Sequence, residues 1–298
     1  MDILALRGEL AALGSAAIWA VTSAVYARVG QRVAPLTLNL LKGLAAIGFT
    51  LLTLALRSQA FPAVDSTALW LLLLSGALGI GLGDTAFFAS LNCLGARRGL
   101  LLEALAPPLA ALIAWMALGE RLPTVAWLGI GLTVGGVAWV IVERSPKSGD
   151  APPQLRQGIV FGSVAALAQA AGAVLSRAAL ADTAMPPLWS SLIRLGAGCT
   201  VLLLWQGLSP AKRPRVRAAN LLRLLALIAA TAFASTFLAI WLQQTALKYT
   251  ETGIAQAIGA TSPMFIIPIA LGLGERVSSR GILGAAIALV GVWLLFVV

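Results

Sequence analysis

Four ionisable side chains, Lys42, Asp84, Glu103 and Arg194, stand inside long apolar runs of a 298-residue chain. In a lipid-embedded helix each would cost at least about 2.5 kcal/mol unless paired or wet, so all four are expected to face the protein interior. Lys42 and Arg194 each follow an opening proline, Pro35 and Pro187, by seven residues. At about 1.5 Å per residue this sets both roughly 10 Å into their helices. Two such cations suit a substrate carboxylate or phosphate, met in alternate states. The competing structural reading pairs Lys42 with Asp84 or Glu103. The two carboxylates are the candidates for carrying a proton, and Glu103 is also a candidate substrate ligand or, near the headgroups, a partner of Arg97 or Arg98.

Uncharged polar residues in the same runs extend the candidate set: Asn39, Gln169, Gln243, Gln244 and Gln256, with Thr261 and Ser262 beside the last. They can bind a solute or simply hold helices together. Among the aromatics, Trp19 and Phe88 lie deep enough to wall a cavity, with Phe87 and Trp241 as further candidates. Tyr26, Trp189 and Tyr249 are expected at the membrane interfaces.

The sequence has no histidine, which removes imidazole general bases, His-based triads, histidine-ligated haem and His-containing zinc sites. Cys93 and Cys199 both lie in apolar surroundings and are expected to be small packed side chains. No Gly-x-x-x-x-Gly-Lys-Ser/Thr phosphate loop is present. No cofactor or metal is expected, and no enzymatic activity.

These residues must be positioned by elements suited to lipid: 59% of the chain is hydrophobic, only 11% is charged, and the mean hydropathy is +0.93. A soluble domain has about 25% charged residues, so this surface is expected to face lipid. The net charge of +10 is assigned to loops that meet anionic headgroups rather than to nucleic acid. Apolar runs predict helices at 9–29, 36–56, 67–94, 98–118 and 124–142, then at 157–180, 187–206, 221–247, 251–273 and 279–298. The first lacks a basic n-region and a cleavage site and is expected to be a retained span. Within the third helix Gly76, Gly79 and Gly83 are predicted to share one face that admits a neighbouring backbone. Pro107 and Pro108 remove the hydrogen bonds to the carbonyls four residues back, so the fourth helix is predicted to bend beside Glu103. Pro263 and Pro268 do the same to Gly259 and Met264 in the ninth.

The halves resemble each other. Leu118-Gly119-Glu120-Arg121 recurs as Leu273-Gly274-Glu275-Arg276 at a shift of 155, which also aligns Pro108 with Pro263, Gly129 with Gly284 and Gly136 with Gly291. Pro35 and Lys42 match Pro187 and Arg194 at 152, and Arg28 matches Arg177 at 149. Five helices per copy is an odd number, so the second copy enters the membrane from the opposite side. The expected fold is an all-α integral membrane protein of ten transmembrane helices in two inverted five-helix repeats, 1–142 and 157–298, joined by a loop at 143–156. Inverted repeats are typical of secondary transporters.

These features resemble the drug/metabolite transporter superfamily, and within it the ten-helix EamA-type exporters. The resemblance rests on the proline-containing fourth and ninth helices, which end in Gly119-Glu120-Arg121 and Gly274-Glu275-Arg276, each followed by a glycine-rich fifth helix. It implies a central cavity lined by helices one to four and six to nine, with helices five and ten peripheral. The repeated Glu-Arg pairs are expected to be structural turn residues.

Loops after odd-numbered helices hold Arg28, Arg32, Arg97, Arg98, Arg144, Lys147, Arg156, Lys212, Arg213, Arg215, Arg217, Arg223, Arg276 and Arg280, 14 basic residues against 5 on the other side. By the positive-inside rule both termini are expected outside a bacterial inner membrane, whereas the resemblance implies cytoplasmic termini. The expected function is export of small metabolites, amino acids or related amphipathic compounds, by proton-coupled alternating access. The alternatives are an exchanger of anionic solutes such as sugar phosphates and, more remotely, a structural or lipid-scrambling protein. The expected partners are a small-molecule solute and the bilayer, with the chain a monomer or homodimer.

Overall fold

A computed structural model describes residues 7–62, 65–118, 124–142, 154–181, 183–208, 218–250, 252–262, 265 and 278–296. Among these, every regular element is helical. The helices are α1 (Arg7–Val29), α2 (Pro35–Leu56), α3 (Ser66–Gly76), α4 (Asp84–Glu103), α5 (Ala106–Leu118), α6 (Thr124–Val142), α7 (Leu155–Leu180), α8 (Pro187–Leu208), α9 (Ala218–Ala232), α10 (Ala239–Tyr249), α11 (Thr252–Gly259) and α12 (Ser279–Phe296). Two π-helical stretches, Ala77–Gly83 and Phe233–Leu238, join α3 to α4 and α9 to α10. Six helical stretches in the described residues are long and apolar enough to cross a membrane: Arg7–Val29, Pro35–Leu56, Ser66–Ala96, Leu155–Leu180, Pro187–Leu208 and Leu221–Tyr249.

The surface is apolar, unlike that of a soluble protein, and some polar and charged side chains are buried in the largely apolar interior. Leu52, Trp70, Met116, Leu128, Leu204 and Leu222 are exposed, while Lys42, Asn39, Arg194 and Gln244 are buried. Exposed leucine and tryptophan cost nothing in hydrocarbon, whereas an inward polar group must find a partner there.

Local chemistry sets the helix boundaries. Pro35 and Pro187 open α2 and α8, positions where the missing N–H is not needed. The Asp65 carboxylate accepts the Thr67 N–H at the start of α3, an N-cap. The predicted fourth helix is broken rather than merely bent: α4 ends at Glu103, Ala104 and Leu105 form a turn, and α5 begins at Ala106. A second break at Gly95, with φ of 79°, separates the predicted third and fourth helices, and glycine adopts that left-handed conformation without steric cost.

The predicted third and eighth helices are not uniformly α-helical. The π stretches occupy the middle of each. This corrects the expected glycine face, because the wider π turn rotates the residues beyond it. Gly76 faces the Arg194 backbone of α8, Gly79 lies between the Arg194 guanidinium and Gln169 of α7, and Gly83 faces Ala165 and Ala168 of α7.

The halves pack reciprocally. α1 runs along α10 and α7 along α4; α2 touches the Phe233–Leu238 stretch and α8 the Ala77–Gly83 stretch; α6 lies against α12. The turns Gly119-Glu120-Arg121 and Gly274-Glu275-Arg276, the prolines Pro263 and Pro268, and the basic segments at 143–153 and 209–217 lie outside the described residues.

Candidate functional site

Between the halves lies a cavity of about 80 Å³, well below the roughly 300–1,000 Å³ of pockets that take drug-sized ligands. Its wall comes from α1 (Ser15, Trp19), the first π stretch (Ile80), Asp84, the α4–α5 break (Glu103, Pro107), α7 (Gln169), α8 (Arg194), the second π stretch and α10 (Ser235, Ala239, Gln243), and α11 (Gln256). The α4–α5 break and the two π turns therefore converge on one place. π-Turns concentrate at functional sites because they widen the helix and leave carbonyls without their α-helical partner.

Each charge has a distinct surrounding. The Lys42 ammonium donates to Asp84 Oδ2 at 2.5 Å, with Lys42 fully buried. It also lies 4.9 Å from the Phe88 ring centroid and 5.6 Å from that of Trp19, within cation–π range. Glu103 Oε2 accepts the Trp19 indole N–H at 2.8 Å, and Trp19 is itself held by stacking on Phe87 at 5.4 Å. Asp84, Glu103 and Arg194 all line the same cavity. Arg194 is 2% exposed, yet its Nε and Nη1 have no hydrogen-bond partner among the described residues. A buried donor left unpaired costs about 1–3 kcal/mol, more when charged.

Side chains in the cavity wall and behind it hydrogen-bond to the two π stretches and their surroundings. Asn39 Nδ2 donates to the Ile80 carbonyl at 2.7 Å and to Thr85 Oγ1 at 2.8 Å, while Thr85 donates to the Gly81 carbonyl. In the second half Tyr26 shares a 2.7 Å hydrogen bond with Ser235, which in turn bonds the Thr231 carbonyl. Ser15 and Ser262 tie α1 to the Ala239 carbonyl and to the segment after α11.

The sequence model of the EamA-like transporter family matches residues 6–142 and again 156–297. The chain belongs to that family. It is thereby a multi-pass membrane transporter of the drug/metabolite type. No curated protein matches the sequence. A crystal structure with 15% identity superimposes with a TM-score of 0.69, covering 96% of this chain and 95% of its own, a likeness that speaks for the fold.

In this EamA protein the sequence-predicted residues fall into two layers. Trp19, Asp84, Glu103, Gln169, Arg194, Gln243 and Gln256 line the cavity together. Asn39, Lys42 and Phe88 stand behind it: Lys42 is fixed to Asp84, Phe88 packs on Lys42 and Tyr26, and Asn39 serves the π turn. Gln244 likewise faces away and accepts from Ser190. Tyr26, expected at an interface, is instead 1% exposed in the core beside Phe87, Phe88 and Ile228. Its hydroxyl is accommodated there by Ser235. Tyr249 is exposed, with the Arg7 guanidinium 3.4 Å from its ring centroid. Sequence reasoning missed Ser15, Ser235 and the π stretches. The available signal was the hydroxyl-bearing Ser235-Thr236 and the glycine-dense Gly79-Ile80-Gly81-Leu82-Gly83, both in helix centres.

Proposed function

We propose that this EamA protein exports small zwitterionic metabolites, of the amino-acid class, by proton-coupled alternating access across a bacterial inner membrane. Ten spans in two inverted repeats, 1–142 and 157–298, exchange roles around the cavity between them. The observation that carries the reading is the cavity's mixed charge: Arg194 on one wall, Asp84 and Glu103 on others, with Gln169, Gln243 and Gln256 between. A zwitterion complements that set at both ends. The ion pair of Lys42 with Asp84 argues against a two-cation clamp for a dianionic sugar phosphate.

Coupling is assigned to Asp84, which touches both the cavity and Lys42. A proton on Asp84 dissolves the pair and loosens α2 from the start of α4, while the Asn39 bonds to the first π turn stay in place. An outside position for both termini is supported by the 14-to-5 imbalance of basic residues between loop sets. An N-terminal tag that an impermeant reagent reaches only after permeabilisation reverses this orientation.

The test is flux into proteoliposomes of a neutral amino-acid panel with and without an imposed pH gradient. Gradient-driven accumulation is expected in the native protein and absent in Asp84→Asn, with solute-for-solute exchange retained. Accumulation in Asp84→Asn equal to native overturns Asp84 as the coupling group. A panel that gives no saturable flux overturns the solute class.

A further inference from the structure

The two π stretches end at matching places. Ala77–Gly83 is followed directly by Asp84 and Phe233–Leu238 directly by Ala239, 155 residues apart, the same shift that relates Gly136 to Gly291. The cations match too, since Lys42 and Arg194 stand at the same distance from the prolines that open α2 and α8. In the first half the set is complete, because Lys42 is neutralised by Asp84. The second half carries Ala239, with a methyl group, at the position 155 residues after the Asp84 carboxylate. Ala239 and Arg194 both line the cavity, and Arg194 keeps two buried donors idle.

We infer that a carboxylate of the transported solute completes this second ion pair, seated beside Ala239 against the Arg194 guanidinium. The solute thus plays for Arg194 the part that Asp84 plays for Lys42. The inference rests on the transporter reading for the source of the anion, and it fixes where that anion binds.

Three features fit a compact monocarboxylate. A charge-assisted contact to a guanidinium is among the stronger hydrogen bonds available, and the idle donors of Arg194 require one. Gly79 faces the same group: a Cβ there would lie 3.1 Å from Arg194 Nη2 and 3.5 Å from Gln169 Oε1, so its absence leaves room beside the cation. The wall residues Gln169, Gln243 and Gln256 are uncharged, so a second negative charge on the solute would meet no further cation among the described lining residues.

The inference is tested by ligand-induced thermal stabilisation of the purified full chain in detergent, a readout independent of flux. The probes are glycine, alanine, serine and valine, with alaninamide and inorganic phosphate as comparators. Native protein is expected to be stabilised by members of the amino-acid set, at least about tenfold more weakly by alaninamide, and not by phosphate. Ala239→Asp supplies the missing carboxylate within the chain, and the ligand response should vanish while the unliganded protein melts no lower than native. Should that variant not fold, Arg194→Gln is expected to lose the response and Arg194→Lys to keep part of it. Equal stabilisation by alanine and alaninamide, an unchanged response in Ala239→Asp or Arg194→Gln, or no response to any amino acid in the set overturns the inference. Binding of this pattern without flux sinks the transport reading and leaves the site. Saturable flux of alaninamide equal to that of alanine sinks the site and leaves transport.

Discussion

Gly136 and Gly291 occupy reciprocal positions on α6 and α12. A Cβ at Gly136 would run into Gly284 O and the Ala288 backbone, and a Cβ at Gly291 into Gly129 O and the Thr133 backbone. Every one of these contacts connects a residue to the counterpart of its own neighbour at the 155-residue shift. Two copies of one helix therefore meet face to face around an approximate two-fold relation, backbone against backbone. In lipid, where apolar burial gives no drive, such close packing supplies the attraction. Gly136→Ala and Gly291→Ala are both expected to lower the thermal unfolding midpoint by similar amounts, because backbone and not a flexible side chain must give way. Gly131→Ala and Gly135→Ala, whose Cβ positions are open, should leave it unchanged. A fall of the midpoint in Gly131→Ala as large as in Gly136→Ala would contradict the seam.

The Lys42–Asp84 pair makes a distinct prediction about stability. Removing one partner of a buried ion pair strands the other and costs about 3–5 kcal/mol, whereas replacing both by apolar residues of similar volume is often neutral. Lys42→Met and Asp84→Leu are each expected to destabilise strongly, and the double variant to recover most of the loss. Urea or thermal unfolding of the four proteins in a double-mutant cycle measures it. Additive losses would mean that the two side chains do not neutralise each other.

Asn39 bridges α2 to the Ile80 carbonyl and to Thr85, so Asn39→Leu leaves a carbonyl of the first π turn without its donor. The expected cost is about 1–3 kcal/mol. Because Asn39 does not line the cavity, half-saturation for the solute should change less than the maximal flux. Transport kinetics of the variant separate the two, and a purely affinity-based defect would place Asn39 among the solute ligands instead.

The membrane class, the repeat and, among the described residues, most of the helical runs are legible in composition and spacing, because lipid demands long apolar runs and duplicated proline, glycine and charged residues keep their register. The inward direction of Lys42, Asp84, Glu103 and Arg194 is legible for the same reason: lipid penalises the alternative. Which of them share a hydrogen bond is a matter of rotation about the helix axis, and there sequence spacing fails. An α-helical period carried through Gly76, Gly79 and Gly83 predicts one face, but the π turn between them spreads it from α8 round to α7. The asymmetry between Asp84 and Ala239 becomes visible only once both π stretches are located, since alanine in an apolar helix carries no signal. An interface position is the natural expectation for Tyr26 because its hydroxyl needs a polar neighbour; the structure supplies that neighbour from Ser235 across 209 residues of chain.

Tyr26 and Ser235 link α1 to the second π stretch from the far side of the cavity wall, and the ring of Tyr26 packs edge-on against Phe88 at 5.0 Å. Tyr26→Phe keeps the ring and removes only the hydroxyl. A net loss of about 1 kcal/mol in stability is expected. Ser235→Ala also exposes the Thr231 carbonyl it serves and should cost somewhat more. Since Phe88 touches Lys42 and Ser235 lines the cavity, the hydroxyl pair joins the ion pair to the solute-facing wall. Both single variants are therefore expected to alter the rate of solute exchange, and the double variant to differ little from Ser235→Ala alone. The measurement is counterflow in proteoliposomes beside thermal unfolding of the same preparations. Independent, fully additive effects of the two substitutions on exchange would show that the hydroxyls act separately and that this contact does not transmit movement between the halves.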